Sequence, residues 1–406
     1  MKGIHSMRNI EDYIYGFDVN LNNDIFKNEK INIPEELAQL AIDEYSFKLN
    51  NLERIPFIAP TISPGLVSSE IDYLEHPMEI FKEYKKKGCN KIIGELKHMG
   101  SRAIICIFKN EEIAYEYTGH KDKIYIYSRR GYKFFNDNIV IDKLQKLLDE
   151  TNYFSNYNID FEIWDCEILP WNIKGQGLLN QEYIPVITAA NSLYNKLNKL
   201  QNPELRKSMI EYFNKTTNNI EQFKKQLNNY CWDCDINNIK IAPFHILANN
   251  KGTYFTYSHI DHLNHFDILK ENNDFIIDTP YVIVDLNNEK SMNEAIDFWK
   301  DITSKGYEGL MFKTFNFIEF DKDELIIPML KCRGKEYLRI IYGINYDMQG
   351  IINEYKKRHT SLKRKKHIQQ TKLGIESLNR FIKKEDFFSC ILGSMALNYN
   401  QNDIRL

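Results

Sequence analysis

A chain of 406 residues with 43% apolar side chains has the composition of a folded protein with a large buried core, in two or three domains or one elaborated domain, and not of a disordered segment. A formal net charge of −3 excludes the global basic excess of a general nucleic-acid binder, so any such contact must be local. Seven scattered cysteines point to free thiols in a reducing compartment, and no apolar run approaches a secretion signal or a membrane span, so a soluble cytoplasmic protein with no membrane partner is expected.

Residues 1–90 are expected to form an N-terminal module of short helices with a Pro-rich connector at 55–65. A core follows at 91–343. Its first strands are read at KIIGELK (91–97), RAIICIFK (102–109), IAYEYTG (113–119), KIYIYSR (123–129) and FEIWDCEIL (161–169). The period changes to a helical one in ITAANSLYNKLNKL and NIEQFKKQLNNY, which marks a helical insert at about 186–232. Strands return at IKIAPFHILAN (239–249) and FIIDTPYVIVDL (275–286), a helix is expected at SMNEAIDFWKDITSKG (291–306), and EGLMFKTF and IIPMLKCRG read as strands. From 344 to 406 the pattern is helical, a C-terminal helical module.

Between the first two strands lies KHMGSR, residues 97–102, which sets a lysine, a glycine and an arginine in one short connection. Alone it favours an ordinary surface turn, with glycine where φ must be positive. Four later fragments alter that weighting: IYSRRG at 126–131, DCE at 165–167 with both carboxylates on one strand face, EGLMFK at 308–313, and LKCR at 330–333 with Lys331 and Arg333 on one face. As a set they supply a nucleophile, cations, carboxylates and apolar cover, which is what attack on the α-phosphorus of ATP requires. A lysine amine titrates near ~10.4, so only about one in a thousand is neutral at pH 7. Clustered cations and desolvation favour the neutral, nucleophilic form and also stabilise charge on the phosphate.

This ordered set resembles the covalent nucleotidyltransferases, the ATP-dependent ligases and mRNA capping enzymes. It resembles more closely the ligase (adenylyltransferase) domain of bacterial polynucleotide kinase-phosphatase-ligase RNA repair proteins, through KHMGSR at 97–102, DCEILPW at 165–171 and KCRGKEYLRIIYG at 331–343. The resemblance runs from about Ile58 to the final IRL. It implies an α+β fold unrelated to ATP-grasp, with a nucleotidyltransferase core of antiparallel sheets around an ATP cleft, a helical insert and helical terminal modules. The helical period after 343 argues against the OB domain of DNA ligases and capping enzymes.

The resemblance further implies an ATP-dependent RNA ligase using Mg²⁺ or Mn²⁺. Lys97 would become lysyl-AMP, Arg102 and Arg129 would contact ribose or phosphates, and Glu167 would hold the ribose or orient the metal. Glu308 would bind the catalytic metal. Lys313, Lys331 and Arg333 would bind phosphates, with Lys331 assisting attack. Leu310 or Met311 would cover adenine, and Glu95 would read its amino group. Its partners would be RNA with 5′-phosphate and 3′-hydroxyl ends, a polynucleotide kinase-phosphatase and an RNA 2′-O-methyltransferase. The chain departs from the pattern in lacking an Asp after Lys97 and in having Arg130 where a smaller residue is expected.

Other readings stay open at this stage: a guanylyltransferase-like enzyme, or a catalytically silent ligase-like scaffold subunit. Cys231 and Cys234, followed by His245, His259, His262 and His265, have partial zinc-ligand spacing, but core thiols with polar histidines are favoured. The basic run at 356–367 is divided evenly between a solvated helix face and an RNA contact. Phe134 and Phe135 are expected in the core.

Overall fold

A computed structural model describes residues 10–47, 54–171, 179–197, 199, 201–230, 238–271, 273–348, 350–358 and 360–399. In chain order the elements are β1 (Phe17–Asn22), β2 (Lys27–Ile33), α1 (Glu35–Phe47), α2 (Pro77–Lys86), β3 (Lys91–Leu96), β4 (Ser101–Phe108), α3 (Glu111–Thr118), β5 (Ile124–Ser128), α4 (Ile139–Glu150), α5 (Tyr153–Tyr157) and β6 (Phe161–Leu169). The insert follows as α6 (Ile184–Leu197) and α7 (Pro203–Tyr230), then β7 (Lys240–Asn249), β8 (Gly252–Thr253), α8 (His259–His265), α9 (Asp267–Lys270), β9 (Tyr281–Asp285), α10 (Glu289–Ser304), β10 (Gly309–Thr314), β11 (Phe320–Asp321), β12 (Glu324–Leu325) and β13 (Met329–Arg333). The C-terminal part is helical: α11 (Lys335–Tyr342), α12 (Ile351–Lys356), α13 (Ser361–Ile382) and α14 (Phe388–Ala396). Among the described residues no strand follows Arg333, as expected for a fold without an OB domain, and no helix is long and apolar enough to cross a membrane.

Two antiparallel sheets carry the site. One has the order β13-β10-β3-β9, the other β5-β4-β6-β7-β8. Strand alternation gives the first sheet two different faces. Ile92, Leu96, Leu310, Phe312, Leu330 and Cys332 pack with Phe81, Tyr84 and Trp299 of α2 and α10, leaving Glu95, Met311, Lys313, Lys331 and Arg333 on the other face. In the second sheet Ile105, Trp164 and Cys166 pack with residues of α4 and α5, and Phe134 and Phe135 join that cluster. The opposite face is divided along its length. Ile104, Cys106, Ile163 and Leu247 enter a core shared with C-terminal helices, whereas Arg102, Asp165, Glu167 and His245 lie on the same alternation toward the other end.

The terminal segments are one packing unit. Val19, Leu21, Ile31 and Ile33 of the first hairpin share a cluster with Leu373, Leu378, Ile391 and Met395. That hairpin is a correction to the reading of residues 1–90 as short helices. IAYEYTG is a second. It forms α3, because the Asn110 side chain caps the helix by accepting from the Ile113 amide and Gly119 closes it in the left-handed region at φ 72°. Local capping overrides the aromatic alternation that suggested a strand.

The 97–100 connection also differs from expectation. β3 and β4 do not pair, so KHMG is a crossing from one sheet to the other and not a hairpin. Gly100 is not among the residues with positive φ. Its need for glycine is close approach: a Cβ would come within 2.4 Å of the Ile168 carbonyl oxygen and 2.8 Å of Glu167 Cγ. A side chain there would push the crossing off β6.

Candidate active site

The crossing delivers Lys97 to the cleft between the sheets. Its amide donates to the Gly309 carbonyl over 2.9 Å, and its Nζ forms an ion pair with Glu308 Oε1 at 2.7 Å. Glu308 stands just before β10 and is 4% exposed. Its own carbonyl accepts from the Gly334 amide at 2.8 Å, which ties it to the end of β13. Gly309 makes that junction possible: it has φ 139°, and a Cβ would lie 2.2 Å from the Cys332 carbonyl oxygen.

Register sets the neighbouring groups. Met311 lies opposite Glu95 on one side and Lys331 on the other, so these three form a row across β3, β10 and β13. Burial, then Arg333, pushes the Lys331 ammonium down to about 7, with Lys97 adding to the effect against Glu75 and Glu308. Across the cleft, Glu167 is pushed up to about 7, mainly by burial, with Glu308 and Asp165 reinforcing it against Lys97 and Arg102. Lys97, Glu308, Lys331 and Glu167 therefore form one electrostatically coupled group.

The cleft is further lined by Glu95, Arg102, Lys313, Phe244, Met311 and Met329. Phe244 from β7 and Met311 from β10 provide apolar cover on facing sheets. Leu310, offered with Met311 as a cover for adenine, points the other way: it is fully buried in the cluster behind β10. Of the two, Met311 is the residue that lines the cleft.

Several cations already have protein partners. Arg102 donates from Nε to Asp165 Oδ1 at 2.8 Å, from its terminal nitrogens to Asp165 Oδ2 at 2.5 Å and to the Pro60 carbonyl at 3.1 Å. Arg129 lies beside it, donating to Thr61 Oγ1 at 3.1 Å, and burial followed by the Arg102 charge lowers it to about 10. Lys313 Nζ contacts Glu95 Oε2 at 2.5 Å and His245 Nε2 at 3.1 Å. Burial pulls this lysine below its usual range, against the Glu95 contact.

Arg333 donates to Glu75 through its backbone amide at 2.8 Å and its guanidinium at 2.5 Å, and its carbon sits 5.6 Å from the Tyr342 ring centroid. Breaking such a buried pair by removing one partner generally costs about 3–5 kcal/mol. Glu75 thus fixes the backbone of the strand that carries Lys331. Nothing in the sequence pattern pointed to Glu75, since the pair exists only in three dimensions.

His98, where many DNA ligases have Asp, bonds through Nε2 to Thr279 Oγ1 at 2.8 Å. Burial, then Lys97, pushes it down to about 4, so it is a neutral imidazole. The remaining features resolve less to function than to packing. Cys231 and Cys234 lie outside the described residues. His245, His259 and His262 converge and are buried. Within the basic run, Arg358 stacks 4.0 Å from the Tyr342 centroid, Arg364 pairs with Glu83 at 3.2 Å, and His367 is buried against the Thr61 carbonyl at 2.7 Å. A larger groove between α7, α11 and α12 mixes Lys215, Lys335 and Arg339 with Glu336 and Asp347. Arg339 and Lys335 both pair with Asp347 there, so it presents no free set of this kind.

A family model described as the PNKP adenylyltransferase domain, ligase domain, matches residues 14–401. No curated protein matches the sequence. Among solved structures, a chain of a Pnkp1/Rnl/Hen1 complex is similar over 90% of this chain and 100% of its own, with a TM-score of 0.67 and 21% identity. A chain from a Pnkp1/Rnl/Hen1 RNA repair complex covers 89% of this chain and 95% of its own, with a TM-score of 0.62 and 18% identity. At these identities the likeness establishes the fold.

Proposed function

Because this chain belongs to the PNKP adenylyltransferase (ligase) domain family, we propose that it is an ATP-dependent RNA ligase working through lysyl-AMP. The observation that carries this reading is the Lys97–Glu308 ion pair at 2.7 Å in a cleft whose neighbouring cation, Lys331, is itself desolvated. Lys97 Nζ would attack the α-phosphorus of ATP, forming a P–N bond as the bond to pyrophosphate breaks. The AMP would pass to an RNA 5′-phosphate, and attack by a 3′-hydroxyl would join the strands and release it. Before the first step the ion pair must open and the ammonium must lose a proton to solvent, since only the neutral amine carries a lone pair. Lys331 beside it would then neutralise phosphate charge, whereas Lys313 and Arg333 are already engaged by Glu95 and Glu75.

Glu308 and Glu167 would hold Mg²⁺ or Mn²⁺. Their hard oxygen donors suit such an ion. Substrate phosphates would complete the coordination of such an ion. When bound, the ion would supply charge neutralisation at the phosphates.

The base end supports ATP over GTP. Glu95 Oε1 is buried with no hydrogen bond, 3.6 Å from His259 Nδ1, whereas its Oε2 is taken by Lys313. An adenine amino group would donate to it, and the carbonyl of guanine would repel it. The test is adduct formation from α-labelled ATP and GTP. ATP should be favoured by at least on the order of 10²-fold, as for sites built around a buried polar contact. Glu95→Gln, able to donate, should narrow that ratio. A GTP adduct formed as fast as the ATP adduct would support the guanylyltransferase reading, and no adduct at all would support the silent scaffold. The solved relatives come from Pnkp1/Rnl/Hen1 assemblies. The same proposal therefore includes a heteromeric RNA repair complex with a polynucleotide kinase-phosphatase and an RNA 2′-O-methyltransferase.

A further inference from the structure

Behind the cleft floor a line of buried polar groups crosses from one sheet to the other. Glu95 on β3 meets Lys313 on β10 at 2.5 Å, and Lys313 meets His245 on β7 at 3.1 Å. His245 Nδ1 faces Asp165 Oδ2 on β6 at 3.5 Å, and Asp165 clasps Arg102 on β4. The first two residues belong to one sheet and the last three to the other. The Lys313–His245 contact is the step between them.

The direction of the hydrogen bonds fixes the tautomer of His245. A lysine ammonium can only donate, so Nε2 of His245 must carry a lone pair and its proton must sit on Nδ1, toward Asp165. His259 Nδ1 lies 3.1 Å from the same Nε2, so the two contacts share its single lone pair. The ring cannot charge cheaply. It is fully buried, and Lys313, His262 and Arg102 all face it, which together hold it well below the usual histidine range. Phe317 stacks on it at 4.0 Å between centroids and 23° between planes.

Ordinary core packing does not account for this arrangement. Two members of the line, Glu95 and Lys313, line the cleft, as does Arg102 at its far end. Glu95 Oε1 and His245 Nδ1 make only longer polar contacts, to His259 Nδ1 at 3.6 Å and to Asp165 Oδ2 at 3.5 Å. Lys313 is pulled toward the floor, where Glu95 and His245 share it. Losing the His245 acceptor would free Lys313 to turn, and Glu95 would lose its orientation toward a bound base.

We infer that His245 is a positioning residue, whose neutral imidazole joins the two sheets by accepting from Lys313 while facing Asp165, and so keeps Glu95 and Arg102 aimed at the nucleotide. This rests on the reading of the cleft as a nucleotide site.

The experiment measures lysyl-AMP formation by the full chain against ATP concentration, with a thermal melt for each variant. His245→Leu removes the acceptor at similar volume. It should raise KM for ATP on the order of tenfold, the scale of one hydrogen bond to a charged group, and leave kcat within about twofold. His245→Gln returns an acceptor near Nε2 and should recover most of the KM. If His245→Leu does not fold, His245→Asn, too short to reach Lys313, replaces it with the same expectation. A lowered melting temperature with unchanged KM in the acceptor-less variant would overturn the inference, as would a Gln variant as impaired as the Leu. A wild-type chain that forms no adduct would instead overturn the ligase reading.

Discussion

Lys97→Ala, incubated with α-labelled ATP and Mg²⁺, will retain no label through denaturation, while the wild-type chain will. Among the lysines lining the cleft, Lys313 is held to its floor by Glu95 and His245, and only Lys97 stands on the crossing between the sheets. Lys97→Arg separates chemistry from architecture. Arginine keeps a positive group opposite Glu308, so the fold and the ion pair should persist. A guanidinium stays protonated under all accessible conditions and offers no lone pair, so the adduct should be lost just as fully. A labelled Lys97→Ala protein would show that the nucleophile lies elsewhere.

The second large effect is expected at Lys331. Its replacement by Ala should slow adduct formation on the order of 10²-fold or more, the usual scale for removing one preorganised charge contact from a transition state. The same residue has a signature that does not depend on rate. In the free chain Lys331 is lowered to about 7, so it is charged below that pH and mostly neutral above it. Polyphosphate arriving beside it favours the charged form, so ATP binding at pH 8 should take up a proton there, and binding at pH 6 should take up little. Calorimetry in two buffers of different ionisation heat reads this directly. Glu167, pushed up to about 7, titrates in the same range. The difference between wild type and Lys331→Ala therefore isolates the lysine. Equal proton uptake by both proteins would exclude Lys331 from the phosphate end.

What could be read in advance was local. KIIGEL, SRAIICIF, FEIWDCEIL and GLMFKT carry their strand identity in their own alternation or apolar runs, and the charged residues that punctuate them fall on predictable faces. The same rule, applied strictly, would have separated Met311 from Leu310, since only one of two adjacent residues can face the cleft. IAYEYTG was misread because its aromatic alternation was weighed above the Asn110 and Gly119 signals at its two ends. Other features had no local signature. That β3 and β4 belong to different sheets depends on partners more than 60 residues away in sequence, among them Asp165 opposite Ile104. The Glu75–Arg333 pair and the joining of Lys313 to His245 are likewise products of tertiary assembly, with nothing in either neighbourhood to announce them.

The shared core of the chain's two ends has a consequence in time. The apolar face of the first hairpin, Val19, Leu21, Ile31 and Ile33, is covered by Leu373, Leu378, Ile391 and Met395. During synthesis, at roughly 5–20 residues per second, the hairpin leaves the ribosome tens of seconds before its cover exists. It can be completed only once residues as far on as Met395 have been made, so these strands stay unsealed long after they emerge. Until then the nascent chain displays an uncovered β-hairpin with an apolar face, the kind of surface that chaperones hold and that neighbouring chains can pair with.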